Sequence, residues 1–211
     1  MISVSYLKSV YDMNKTVHLL DKISDVDFIH LDLMDGKYVE NNNINIKEIL
    51  NNFEDINKKK DIHLMVRDPL KYINELEQIH PEFITFHPDA VDDPIKVVNK
   101  IKDLGIKVGI AINYDVDVEE YENLYSLSDL ILVMSVQAGY GGQEFQKDVL
   151  SKIEYFTNLK DDGEEFILEI DGGINDEVYH RLVKYPIDIF VVGAYICTNE
   201  NFNRPIKKLL N

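Results

Sequence analysis

The sequence predicts a (β/α)8 barrel built as one domain over residues 1–211. Three observations predict it. Eight short apolar, β-branched runs recur along the chain, helix-start signals lie between them, and 211 residues is the length of eight compact βα units.

The runs are 2–5 (ISVS), 28–33 (FIHLDL), 61–66 (DIHLMV), 83–87 (FITFH), 107–112 (KVGIAI), 129–134 (DLILVM), 166–170 (FILEI) and 188–192 (DIFVV). Each has strand length and strand composition. Between them, Asp68 before Pro69 reads as an N-cap followed by proline at the first helical position. Asp93-Pro94 opens another helix, and Asn175 caps DEVYHRLVK, whose acidic start and basic end suit the helix dipole. A further helix runs from about Lys147 to Lys160. An open doubly wound sheet is the competing α/β architecture. It needs fewer strands and usually a glycine fingerprint after the first, where this chain has Tyr6-Leu7-Lys8-Ser9.

Composition excludes several classes of function. A formal charge of −16 argues against sequence-independent nucleic-acid binding, which relies on Lys and Arg to neutralise phosphates. No apolar run has the length of a membrane span, and the N-terminus shows no export signal. The single cysteine, Cys197, fits a reducing compartment, so the expected location is the cytoplasm. An anionic ligand would have to be held against the overall field, by backbone N–H groups, helix N-termini or a bound cation.

Two patterns bear on chemistry. In ILVMSVQAGYGGQEF (131–145) a strand opens into Gly139, Gly141 and Gly142, which suits either an anion-wrapping loop or a flexible connection. Ligand-type side chains also fall at strand ends, where barrels of this kind place their active sites. His30 and Asp32 lie two apart on one face, His63 lies in the third strand, and Asp171 follows the seventh. Taken singly, each histidine reads as structural and Asp171 as an N-cap. Taken together, they form an N₂O₂ set suited to Zn²⁺, Fe²⁺, Mn²⁺ or Co²⁺ better than to Mg²⁺ or Ca²⁺. His18 and His87 are read as structural or as lying behind the ligands. Met34, Met65 and Met134, all near the same mouth, read by default as core filler.

HLDLMDGKYVENN (30–42), DIHLMVRDP (61–69), ITFHPDA (84–90), KVGIAIN (107–113), ILVMSVQAGYGGQEF (131–145), EIDGGI (169–174) and DIFVVGAY (188–195) stand in the order found in ribulose-phosphate 3-epimerases. The chain resembles that family from Ser5 to its C-terminus. The resemblance implies a TIM barrel with one divalent metal per subunit, Zn²⁺ or Fe²⁺ first and Mn²⁺ or Co²⁺ next, and no organic cofactor. By motif, His30, Asp32, His63 and Asp171 would be the ligands, with Asp32 and Asp171 also the acid and base. Ser5, His63 and the three methionines would line the substrate, which overturns the filler reading. Gly142, Gly172, Gly173, Gly193 and Ala194 would set backbone amides around its phosphate.

The implied reaction interconverts D-ribulose 5-phosphate and D-xylulose 5-phosphate through a cis-enediolate. One carboxylate removes the C3 proton and the other returns one to the opposite face, while the metal acts as Lewis acid on the C2 oxygen. The partner is thus a small ketose phosphate, and homo-oligomers are common among such barrels although no interface motif is visible. Departures from the family pattern are Glu40, Tyr114 and Ala138 at positions usually proline, and Ala194 where serine is common. The alternative enzyme is a 3-epimerase of a hexulose 6-phosphate such as D-allulose 6-phosphate. A phosphate-sugar-binding scaffold without activity is a different class, and retention of all four ligand-type residues argues against it. Sugar-phosphate decarboxylation is discounted because DLMDGK (32–37) lacks the Asp-x-Lys-x-x-Asp spacing.

Overall fold

The computed structural model describes all 211 residues. Its strands are β1 (Ile2–Ser5), β2 (Phe28–Met34), β3 (Lys59–Met65), β4 (Phe83–Phe86), β5 (Lys107–Ile112), β6 (Leu130–Met134), β7 (Ile167–Asp171) and β8 (Ile189–Val191). They pair in parallel and in sequence order, and β8 returns to β1 to close the barrel. The helices are α1 (Met13–Leu20), α2 (Ile46–Phe53), α3 (Leu70–Leu76), α4 (Pro94–Asp103), α5 (Glu122–Tyr125), α6 (Leu150–Asp161), α7 (Asp176–Leu182), α8 (Ala194–Cys197) and α9 (Asn203–Leu210). None is long and apolar enough to cross a membrane.

Every run predicted as a strand is one, with ends shifted by at most two residues. The predicted caps fare unevenly. Asp93 and Asn175 accept from Lys96 N and Val178 N, as N-caps should. Asp68 does not cap α3. Pro69 itself occupies the N-cap position, with no side-chain hydrogen bond, and only the Asp68 carbonyl is used. The first N–H groups of the helix instead bond to the backbone carbonyls of Asp68 and Pro69. The segment expected to be helical from Lys147 begins as a 3-10 turn over Lys147–Val149 before α6 proper.

Strand parity divides the core in two. Outward-facing Ile29, Leu31, Leu33, Ile62, Leu64, Ile84, Val108, Ile110, Ile131, Val133, Leu168 and Ile170 pack against the helices. The barrel interior has apolar members, among them Phe28, Phe83, Leu130 and Leu132, but also Ser3, Ser5, His30, Asp32, Asp61, His63, Thr85 and Glu169, all buried. Such interiors are ordinarily filled with branched apolar side chains, so this polarity needs a reason. It forces tight accommodation as well. Thr85 stands beside Gly109 in register, and a β-carbon on Gly109 would overlap the Thr85 hydroxyl.

Gly109→Ala should therefore overpack the middle of the barrel and cost about 1–3 kcal/mol, read as a lower midpoint of urea unfolding. An unchanged midpoint would show that the interior has slack at this level.

Candidate active site

Register places the polar residues. β2 lies beside β3 with His30 opposite Asp61 and Asp32 opposite His63, while β1 sets Ser5 opposite His30. Ser5 Oγ donates to Asp32 Oδ2 at 2.6 Å. Asp32 Oδ1 accepts from His63 Nδ1 at 3.0 Å. A carboxylate only accepts, so that ring nitrogen carries the proton and His63 Nε2 accepts from His87 Nε2 at 2.8 Å. Below them, His30 Nδ1 donates to Asp61 Oδ2 at 2.6 Å, and Ser3 Oγ donates to the same oxygen. Glu169 is buried nearby, and its protonated carboxyl hydrogen-bonds Asp61.

The charges follow from these contacts. At His30 burial opposes protonation, but Asp61 and Asp32 prevail and raise its pKa well above the imidazole range. At Asp32 burial favours the neutral acid, yet the positive charge of His30 and the hydrogen bond from His63 lower its pKa. Desolvation keeps His63 and His87 neutral. Desolvation and the charge on Asp61 push Glu169 well up. Asp171 ends β7 and does not cap the next helix, a role Asn175 takes. Burial and the charge of Asp32 push its carboxyl up to about 7.

A cavity of about 260 Å³ opens where the strands end. The predicted residues on its wall are Ser5, Asp32, Met65, Met134, Gly142, Asp171, Gly172, Gly173, Gly193 and Ala194. His30 and His63 are wholly buried just outside it, and Met34 is likewise buried, packed with Met65 and Met134 instead of facing the space. The N–H groups of Gly142, Gly173, Gly193 and Ala194 donate to no acceptor in the protein. Two of these glycines are required by geometry. Gly142 has φ +79°, and at Gly173 (φ +64°) a β-carbon would run into the backbone of Phe145.

Neighbouring loops fix this wall. Ser135 Oγ donates to the carbonyls of Asp171 and Gly172, and Gln143 Nε2 staples the loop to the carbonyls of Gln137 and Tyr140. Asn43 holds the end of β2 from both sides, taking Met34 N and donating to Asp32 O. Asn43, Asp61, Ser135, Glu169 and Lys8, which also lines the cavity, carry no motif that marks them in the sequence. Parity could have found two of them, since Asp61 stands two before His63 and Glu169 two before Asp171.

His30, Asp32, His63 and Asp171 bring one donor atom each to within 4.8 Å of one another. His30 Nε2 is 3.3 Å from Asp32 Oδ1 and 3.9 Å from Asp171 Oδ2, and it is buried without a hydrogen bond. A buried nitrogen left unpaired between two carboxylates fits a divalent cation. A cation needs a free lone pair on each ligand atom, whereas His30 and, below about pH 7, Asp171 hold protons, and His63 would pass its proton from Nδ1 to the Nε2 that faces His87. Cation binding should therefore release protons and weaken as pH falls through 7. Calorimetry in buffers of differing ionisation enthalpy at pH 6 and pH 8 checks this, and a pH-independent affinity would contradict the charge assignment.

Sequence comparison agrees with this geometry. The Ribulose-phosphate 3 epimerase family model matches residues 2–197. The chain is 34% identical over 175 residues to the ribulose-phosphate 3-epimerase of Mycobacterium tuberculosis, covering 82% of this chain and 76% of that one. It is 32% identical over 193 residues to that of Helicobacter pylori, covering 91% and 89%. The crystal structure of 3-hexulose-6-phosphate synthase from Salmonella typhimurium shares the fold, with TM-score 0.66 at 14% identity over 99% of this chain and 95% of that one. With the family model spanning nearly the whole barrel and the His/Asp cluster at its mouth, the chain belongs to the ribulose-phosphate 3-epimerase family.

Proposed function

We propose that this protein interconverts D-ribulose 5-phosphate and D-xylulose 5-phosphate, with Asp32 and Asp171 as the acid/base pair. The observation that carries the reading is the separation of two carboxyl groups on one cavity wall. Asp32 is held ionised, while Asp171 is pushed up to about 7. Two carboxyls whose surroundings drive their protonation apart are what proton removal and return at one carbon requires. Ser5 Oγ fixes Asp32 Oδ2, so the base is oriented before substrate enters, and Oδ1 is left beside His63 Nδ1 to face a cation. The ionised carboxyl takes the C3 proton from one face, and the other, which offers a cation only one of its two oxygens, carries a proton on the second and supplies it to the opposite face, with the roles reversed for the return reaction. Met65 and Met134 give the wall an apolar stretch that keeps water from the carbanionic carbon.

His30, Asp32, His63 and Asp171 would hold a divalent cation, for which Zn²⁺ and Fe²⁺ suit the nitrogen and oxygen donors. Such an ion supplies Lewis-acid stabilisation of the charge developing on the C2 oxygen. The N–H groups of Gly142, Gly173, Gly193 and Ala194, free of any acceptor on the cavity wall, would receive the phosphate. The lone, buried Cys197 accords with a cytoplasmic setting.

Incubation of the zinc-supplemented protein with D-xylulose 5-phosphate in D₂O, followed by NMR, should show D-ribulose 5-phosphate carrying deuterium at C3. No conversion and no exchange from folded, metal-loaded protein would sink the proposal. Asp32→Asn and Asp171→Asn should each lower kcat by about 10²–10⁴ while the circular dichroism spectrum is kept, and near-normal turnover in either would refute the two-carboxylate assignment.

A further inference from the structure

We propose that Lys8, in the turn after β1, supplies the positive charge that holds the substrate's phosphate. The inference rests on the ketose-phosphate reading above and adds a residue to it. Among the residues lining the cavity, Lys8 is the sole lysine or arginine. The others include two carboxylates, Asp32 and Asp171, in a chain of formal charge −16. Free N–H groups alone would have to attract a dianion against that field.

The position of Lys8 is specific. Its Nζ lies 2.9 Å from where a β-carbon on Gly142 would stand, and its own Cβ lies 3.4 Å from the corresponding point on Gly141. The ammonium therefore rests on the bare face of the glycine loop, beside the unpaired N–H of Gly142. No carboxylate lies within 4.0 Å of it: Lys59, Lys107, Lys160 and Lys208 form ion pairs, but Lys8 does not. The positive φ of Gly142 requires glycine, and the missing side chain leaves the space beside it that the Lys8 ammonium occupies.

The anchoring of the turn keeps this charge in place. Ser5, three residues earlier, hydrogen-bonds Asp32 and accepts from Leu7 N. Gly193 packs closely on Ser5, a β-carbon there falling 3.4 Å from Ser5 Cβ. The backbone leading to Lys8 is thus tied both to the catalytic carboxylate and to the far side of the phosphate wall. Lysine offers a point charge with rotatable donors, which suits a tetrahedral dianion that is otherwise held by amides.

The test titrates inorganic phosphate into wild-type protein and the variants Lys8→Met, Lys8→Gln and Lys8→Arg by calorimetry at low and moderate salt. Loss of one charge-assisted contact at an exposed site should weaken phosphate binding about tenfold in the Met and Gln variants and flatten its salt dependence. Lys8→Arg should stay within about threefold of wild type, since the charge is kept. With D-ribulose 5-phosphate, KM should rise in the same proportion while kcat at saturation stays within about threefold. Equal phosphate affinity in wild type and Lys8→Met overturns the assignment, as does a fall in kcat at unchanged KM, or a wild type that binds no phosphate. Lys8-dependent phosphate binding by a protein that does not turn over the pentulose phosphates would overturn the proposed function and leave the role of Lys8 standing.

Discussion

One imidazolium between two carboxylates governs the interior of this barrel. His30 is wholly buried, with Nδ1 on Asp61 and Nε2 facing Asp32 and Asp171. Two ionised carboxylates in a dehydrated interior would each cost several kcal/mol without a counter-charge. His30 provides it for both, and this sets the neighbouring states. Burial, and then the negative charge Asp61 holds beside it, keep Glu169 protonated, and burial and the charge of Asp32 raise Asp171. The interior is left short of positive charge when both Asp32 and Asp171 are ionised. That shortage is the electrostatic condition for a cation site, and it is built from strand register before any ion enters.

The fold was readable because its signal is local and repeated. Each strand is a short β-branched run, and eight of them in alternation with helices leave few architectures open. The errors lie where a single residue decides the boundary. At Asp68-Pro69 the proline took the capping position, and at Lys147 the first turn wound as 3-10 helix. Neither changes the side from which a side chain enters the core.

The site was readable to the extent that its residues share strand parity. His30, Asp32, His63 and Asp171 point inward because they sit at inward positions near strand ends. Asp61 and Glu169 obey the same parity one level deeper, and a rule that looks only at strand ends passes over them. Their importance depends on burial and on each other's charge, neither of which the sequence displays. Met34, Met65 and Met134 share a sequence pattern and one buried cluster, with Met34 the deepest of the three. Lys8 was missed for a different reason. It lies in a turn with no motif, and only the fold brings it against a glycine loop more than a hundred residues away in the chain.

The mouth of the barrel separates two incompatible demands. The side formed by β2, β3 and β7 concentrates carboxylates, and the side formed by the glycine loop, Gly173 and the start of α8 presents N–H groups with nothing else to bind. A phosphate could not rest among the carboxylates, nor could a weakly acidic proton be removed among bare amides. The loops that join the two sides are tied across the mouth, with Asn41 Nδ2 donating to Gly139 O and Tyr140 Oη to Glu40. The Tyr140–Glu40 hydrogen bond ties the loop after β2 to the glycine loop. Ala138 is buried against the inner apolar cluster, so packing holds that loop segment. Ala194 keeps an unpaired N–H. The barrel thus keeps the spacing between its proton-transfer side and its anion side by contacts between loops, and the glycines remain free to lie bare.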